Sequence, residues 1–200
     1  MNYKKILLEN YDEDKKIEAL KKIYNMDVDE IIELDILDIV YDLLTKTKEL
    51  DFEEIVYSPN HVIEYKNREI IEYCLKIIGK VGKEREDLVF LYIPYIIKLL
   101  DSSVEDIRNL AAKTLSEIPS YLTVYSYPKL IKNLENDIFE EALFKIIMRA
   151  ENKEAILLKI FENFDIKYIN LIKRIYRVDK NLVKEFIPIM IKLGGKFEDL

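Results

Sequence analysis

The sequence predicts an all-α chain built from repeated helical pairs, and three observations carry that expectation. The first is the stretch Leu91–Ile118, LYIPYIIKLLDSSVEDIRNLAAKTLSEI, where apolar residues return at helical spacing on both sides of a short polar turn. The second is that pieces of this stretch recur along the chain at steps of about 30 to 40 residues. The third is a content of only four glycines and five prolines in 200 residues, too few for long loops or a β-rich fold.

In the first half of that stretch, Ile93, Ile96, Ile97 and Leu100 form one apolar stripe, with Pro94 near the start, where a missing N–H costs little. The helix is expected to stop at Asp101-Ser102-Ser103. Ser103 and Asp106 then have capping-box spacing, the hydroxyl serving free amides while the carboxylate reaches back. Ile107, Leu110, Ala111, Thr114, Leu115 and Ile118 make the second stripe, and the small Ala111 and Ala112 let the two helices approach closely. Neither helix buries its stripe alone, so the pair requires neighbours.

At Pro94, Leu99, Leu100, Ile107, Arg108, Ala111 and Leu115 the stretch resembles a HEAT repeat. It departs in the turn, where Ser102 stands at the family's usual Asp and Asp101 lies one position earlier. First-helix copies are YPKLIKNL at Tyr127–Leu134, a shift of 34, IPIMIKLG at Ile187–Gly194, a further 60, and AILLKIF at Ala155–Phe161 between them. Second-helix copies are NREIIEYCLKII at Asn67–Ile78 and DIFEEALFKII at Asp137–Ile147, at shifts of 40 and 31 from the opening stretch. The resemblance implies an alpha-alpha superhelix, a HEAT/armadillo-like solenoid of about four to five short pairs with a half-repeat at the C-terminus. It also implies one domain over residues 1–200 and, as function, a non-enzymatic protein–protein interaction scaffold or adaptor that needs no cofactor.

Taken in order, Tyr3 to Asn10 reads as a short helix, and Asp12-Glu13-Asp14 opens a second with Ile17, Leu20, Ile23 and Tyr24 inside. Asp27 to Lys46 reads as the longest helix, its apolar side supplied by Ile32, Ile36, Ile39, Val40, Leu43 and Leu44. Asp35, Asp38 and Asp42 would share a face of it and, with Asp27 and Glu30, form an acidic ridge. That ridge reads first as a solvated face, with a basic protein partner or a divalent cation as the alternative. Residues 48–66 break the pattern as the one long insertion, with a helical turn at Phe52–Tyr57 and a loop at Ser58-Pro59-Asn60-His61; insertions in repeat proteins often bind partners.

A helix over Asn67–Val81 is expected to end at Gly82 as its C′ residue. Pro119–Pro128, with Tyr121, Tyr125 and Tyr127, reads as a linker whose rings cover a seam between repeats rather than stack on a ligand. Asn136-Asp137 caps the helix to Ala150, and Asn152 caps the next, to Phe164. Asp165 starts IKYINLIKRIYRV, with Lys167, Lys173, Arg174 and Arg177 leaning toward its C-terminal half. Asn181 to Leu193 is the last helix, stopped by Gly194-Gly195.

Composition narrows the chemistry. With one histidine, His61, the chain lacks the residues for a triad or a two-His metal site, and no His-Glu pair matches the iron hydroxylase found among HEAT-like proteins. His61 as a lone acid/base is the residual enzymatic reading. Cys74 sits on a helix stripe as a small hydrophobe. No metal site is expected, and the four glycines build no phosphate loop. DNA glycosylases with HEAT-like repeats grip duplex DNA in a basic groove; here the net charge is −7 and tryptophan is absent, so nucleic acid is the runner-up partner only.

Residues 1–100 carry 15 basic and 22 acidic side chains, against 16 and 16 in residues 101–200. A basic strip near Lys173–Lys184 is therefore the place where a phosphate would be met. The binding candidates are Asp35, Asp38, Asp42, Lys173, Arg174 and Arg177. Opposite charge at the two ends of a solenoid also suggests weak head-to-tail self-association, unless Lys184, Glu185 and Lys192 simply cap the end. No apolar run spans a membrane and no signal-peptide core is present, so a cytoplasmic location is expected. Abundant Lys and Glu with no Gln or Trp is a thermophile's composition, or the product of codon bias toward A and T.

Overall fold

The computed structural model describes residues 2–9, 12–48, 61–163 and 165–192, and these form α-helices and 3-10 turns with no strand among them. The chain packs as two compact units, Met1–Thr123 and Val124–Leu200, and their boundary falls inside the Pro119–Pro128 linker. No helix among the described residues is long and apolar enough to cross a membrane. The expected turn at Phe52–Tyr57 and the stop at Gly194-Gly195 lie outside the described residues.

The N-terminal unit contains α1 (Tyr3–Leu8), α2 (Glu13–Tyr24), α3 (Val28–Glu33), α4 (Leu37–Lys46), α5 (His61–Glu84), α6 (Ile93–Leu99) and α7 (Glu105–Glu117). Helix α5 organises it. Ile70, Ile71, Cys74, Leu75, Ile77, Ile78 and Val81 are all buried, more than one stripe of the helix, so α5 meets neighbours on several sides. Those neighbours are α2, α3, α4 and α7. Around them, α1 packs on α2 and α4, and α6 packs on α7.

Several expectations held here. Asp12 caps α2 by accepting from the Lys15 amide at 3.1 Å. In α6, Ile93, Ile96 and Leu100 are buried while Ile97 is half-buried. In α7, Ile107, Ala111, Thr114, Leu115 and Ile118 are buried, and Leu110 is half-buried.

Others failed for physical reasons. The segment Asp27 to Lys46 is two helices, broken at Leu34-Asp35, where Asp35 has φ 48°. Aspartate tolerates that left-handed conformation better than most residues. The break lets Ile31 at the end of α3 and Ile36 before α4 both reach 0% exposure. Burying two isoleucines is worth about 1.5–3 kcal/mol each, more than a helical turn loses.

The longest described helix is instead α5, which begins at His61, so His61 belongs to a helix and not to the expected loop. It continues past Gly82 to Glu84, so Gly82 is not the C′ residue. Its missing side chain makes room for Val89 and Ile118, which lie 2.6 and 2.9 Å from where a Cβ would stand. The Ser103 capping box does not form either. Val104 is the N-cap of α7, and the Arg108 guanidinium reaches back to the carbonyls of Ser102 and Ser103 at 2.7 and 3.0 Å. The Ser102 hydroxyl, and not that of Ser103, accepts from a backbone amide here, that of Val104 at 3.1 Å.

The C-terminal unit contains α8 (Tyr127–Leu130), α9 (Asp137–Arg149), α10 (Lys153–Glu162), α11 (Ile169–Val178), α12 (Lys180–Lys184) and α13 (Ile187–Lys192). Helix α9 touches α8, α10 and α11, and α12 packs on α11. Asn136 caps α9 through the Ile138 amide at 2.9 Å, whereas Asn152 occupies the N-cap of α10 without a side-chain cap bond. Helices α6, α8 and α13 each begin one residue before a proline, at Pro94, Pro128 and Pro188. That is why Asn181 to Leu193 is not one helix: Pro188 offers no N–H to the carbonyl a turn earlier, and its ring crowds it. Phe186 fills the break and stacks on Phe161 at 4.5 Å. In the linker, Tyr121 and Tyr125 are 75% and 69% exposed, so these two rings cover no seam.

Candidate interaction surface

In the N-terminal unit, the adjacent helices α2 and α5 carry a layer of rings and charges. Tyr24 and Tyr73 meet edge-on at 6.1 Å. The Lys21 ammonium lies 5.5 Å from the Tyr73 ring, Lys76 lies 4.9 Å from the same ring, and Lys80 lies 5.5 Å from Tyr24. Lys21 donates to Glu69 at 2.9 Å and Lys76 to Glu72. Each bond holds its lysine above the usual ammonium range, working against partial burial.

Lys80 pairs with no carboxylate among the described residues. Its ammonium donates to the carbonyls of Tyr24 and Met26, at 2.9 and 2.5 Å, at the C-terminal end of α2. A cation there meets the negative end of the helix dipole, the Tyr24 carbonyl of the last turn and the Met26 carbonyl just past the C-cap. Each of the three lysines is thus held by an acceptor within the unit.

The break takes Asp35 off the expected ridge, while Asp38 and Asp42 stay four residues apart on α4. Asp35 pairs with Lys4 at 2.8 Å, Asp38 accepts from the Tyr92 hydroxyl at 2.7 Å, and Asp42 pairs with Lys46 at 2.6 Å. The Lys4 hydrogen bond holds the Asp35 carboxyl below its ordinary range. Burial, and then Asp38, push the Tyr92 phenol up, so it remains a donor. Tyr92 also stacks on Tyr41 at 4.4 Å, while Tyr95 meets Tyr41 edge-on at 6.0 Å. Each aspartate thus has its own internal partner, and the described residues include no group of His, Cys, Asp and Glu able to hold a metal ion. Cys74 is fully buried, and burial raises its thiol, which suits the packing role and no nucleophilic one.

In the C-terminal unit, the predicted cations divide. Arg174 on α11 pairs with Glu141 on α9 and lies 4.1 Å from the Phe144 ring, and Lys145 joins Glu141 at 3.2 Å. Burial pushes Glu141 up, but the bonds from Arg174 and Lys145 outweigh it and hold the carboxyl low. Its neighbour Glu140 is raised, chiefly by burial, in spite of Arg174. Lys173 and Arg177, one turn apart on α11, form no ion pair among the described residues.

Lys180 and Lys184 on α12 extend this strip, with Lys180 5.9 Å from the Tyr176 ring. The sequence had pointed to this place through its run of cations, but not to the Glu141 contact that removes Arg174 from it.

The chain is 53% identical over 193 residues to the uncharacterized protein MJ0078 of Methanocaldococcus jannaschii, a match covering 96% of this chain and 93% of that protein. The chain belongs to the same family. No protein-family model matches the chain, and no solved structure does. The 193 aligned residues extend across both units.

Proposed function

We propose that the chain is a non-enzymatic, HEAT-like interaction scaffold. One observation supports this most: in the N-terminal unit α5 lies between α2 and α7, and each of these three is backed by another helix. Helix α1 backs α2, α4 backs α5, and α6 backs α7. That is the neighbour pattern of stacked helical pairs, in which second helices form a continuous layer. The layer here bears half-exposed rings and charges on α2 and α5, a surface with both apolar contact and hydrogen-bonding groups. Its partner is a protein.

A nucleic-acid role, glycosylase-like or otherwise, is favoured by the strip of Lys173, Arg177, Lys180 and Lys184, but the net charge of −7 opposes approach to a polyanion. Affinity purification of the tagged chain from its native host, followed by mass spectrometry, tests the reading. A protein recovered in stoichiometric amount after nuclease treatment is the expected result. An eluate dominated by nuclease-sensitive nucleic acid would favour the second reading instead.

A further inference from the structure

Internal pairing uses up most of the charges that the sequence offered as binding groups, and what it leaves over is unevenly divided. The N-terminal unit carries 17 basic and 26 acidic side chains, and the C-terminal unit 14 and 12. The first is therefore −9 and the second +2, a sharper asymmetry than the two halves of the sequence show. On the basic side, Arg177, Lys180 and Lys184 are exposed, Lys173 is half-buried, and none has an ion pair among the described residues. Asp179 and Glu185 stand beside them, but Asp179 is occupied in capping α12 through the Leu182 amide at 3.1 Å. On the acidic side, Glu33, Glu84 and Glu86 are exposed and likewise form no ion pair among the described residues.

We propose that the basic strip of α11 and α12 docks on the acidic N-terminal unit of a second copy of this chain. This goes beyond the scaffold reading and does not depend on the identity of another partner. Charge selects the occupant. A nucleic acid reaching the strip must approach a polypeptide that also carries the −9 unit, whereas a second copy brings its own carboxylates to the strip. Each copy presents a donor surface and an acceptor surface, so the contact leads to open chains or to closed rings, of which a reciprocal pair is the smallest.

Ionic strength has two effects here. Two whole molecules of −7 repel at long range, and this repulsion is already screened at about 0.1 M salt, where the Debye length is about 10 Å. Contacts between neighbouring side chains survive that screening and are lost toward about 1 M, where it is about 3 Å. Association is therefore strongest near about 0.1 M and absent near about 1 M.

Light scattering over a concentration series at both salt levels provides the test. The expected result is a weight-average mass rising to at least about twice the 23.8 kDa protomer at the lower salt, and a return to the protomer mass at the higher. The double variant Arg177→Glu, Lys184→Glu should remain a protomer while keeping its helical circular dichroism. Labelled double variant should still join wild-type assemblies, because its N-terminal unit is intact, and its failure to join would overturn the proposal. A protomer mass at every concentration and salt overturns the proposal. So does growth that strengthens with salt, or duplex DNA binding lost in the double variant without any self-association.

Discussion

The packing at Gly82 offers the most direct test of how the N-terminal unit is held together. In an isolated helix Gly→Ala stabilises by about 1 kcal/mol, through a less flexible unfolded chain and better helix propensity. At Gly82 the new methyl would stand 2.6 Å from Val89 Cγ2 and 2.9 Å from Ile118 Cγ1. Both neighbours are β-branched and buried at 0% exposure, so neither can swing aside. Overpacking of this kind costs about 1–3 kcal/mol, which exceeds the propensity gain and leaves Gly82→Ala about 1 kcal/mol less stable.

Gly79, one turn earlier, is the control. Its nearest neighbour is Thr114 Cγ2 at 3.2 Å, a contact that yields by a few tenths of an ångström, so Gly79→Ala should be neutral or slightly stabilising. Denaturant midpoints followed by circular dichroism measure both. A further arm, Gly82→Ala with Val89→Ala, should cost less than the two single changes together, by about 0.5 kcal/mol or more, because the second removes the obstacle met by the first. Equal stabilisation by both glycine replacements, or strict additivity in the double variant, would refute the close approach of α5 to Val89.

Three other outcomes are expected. Lys80→Met should destabilise by about 1–2 kcal/mol, since it strips a cation from two carbonyls at the end of α2, whereas Lys83→Met on the exposed side should stay within about 0.5 kcal/mol. Glu140 and Glu141 should respond oppositely to acid. Glu141 has a lowered folded pKa, so its contribution is present above the unfolded value near 4.5 and is lost as pH falls through the folded value. Glu140 has a raised one, so it favours the folded state below 4.5 and loses that contribution as pH rises through the folded value. Midpoints at several pH values should then show Glu140→Gln more stable than wild type at pH 7, with the gain vanishing in acid, and Glu141→Gln less stable at pH 7. Finally, calorimetry should place the melting temperature above the ordinary mesophile range of about 45–65 °C, as the Lys/Glu-rich composition predicts.

Wherever local chemistry sufficed, the residues themselves determined the structure. The stripes of Ile93, Ile96 and Leu100 and of Ile107, Ala111 and Leu115 are spaced to bury one side of a helix, and they do. The caps at Asp12 and Asn136 act within three residues, and the prolines at 94, 128 and 188 start helices because they lack an N–H. Tertiary structure decided what distant partners decide. No glycine or proline marks the break at Asp35; it follows from burying Ile31 and Ile36, and it takes Asp35 off the face that Asp38 and Asp42 share. Gly82 carries the usual signal of a helix end, yet the helix runs through it because Val89 and Ile118 need the space. Tyr92 reaches Asp38 across 54 positions and Arg174 meets Glu141 across two helices, so which charges stay free for a partner depended on the fold. Local preferences are worth tenths of a kilocalorie to about one, and burial of a single isoleucine exceeds them, which is why the packed neighbours prevailed at these sites.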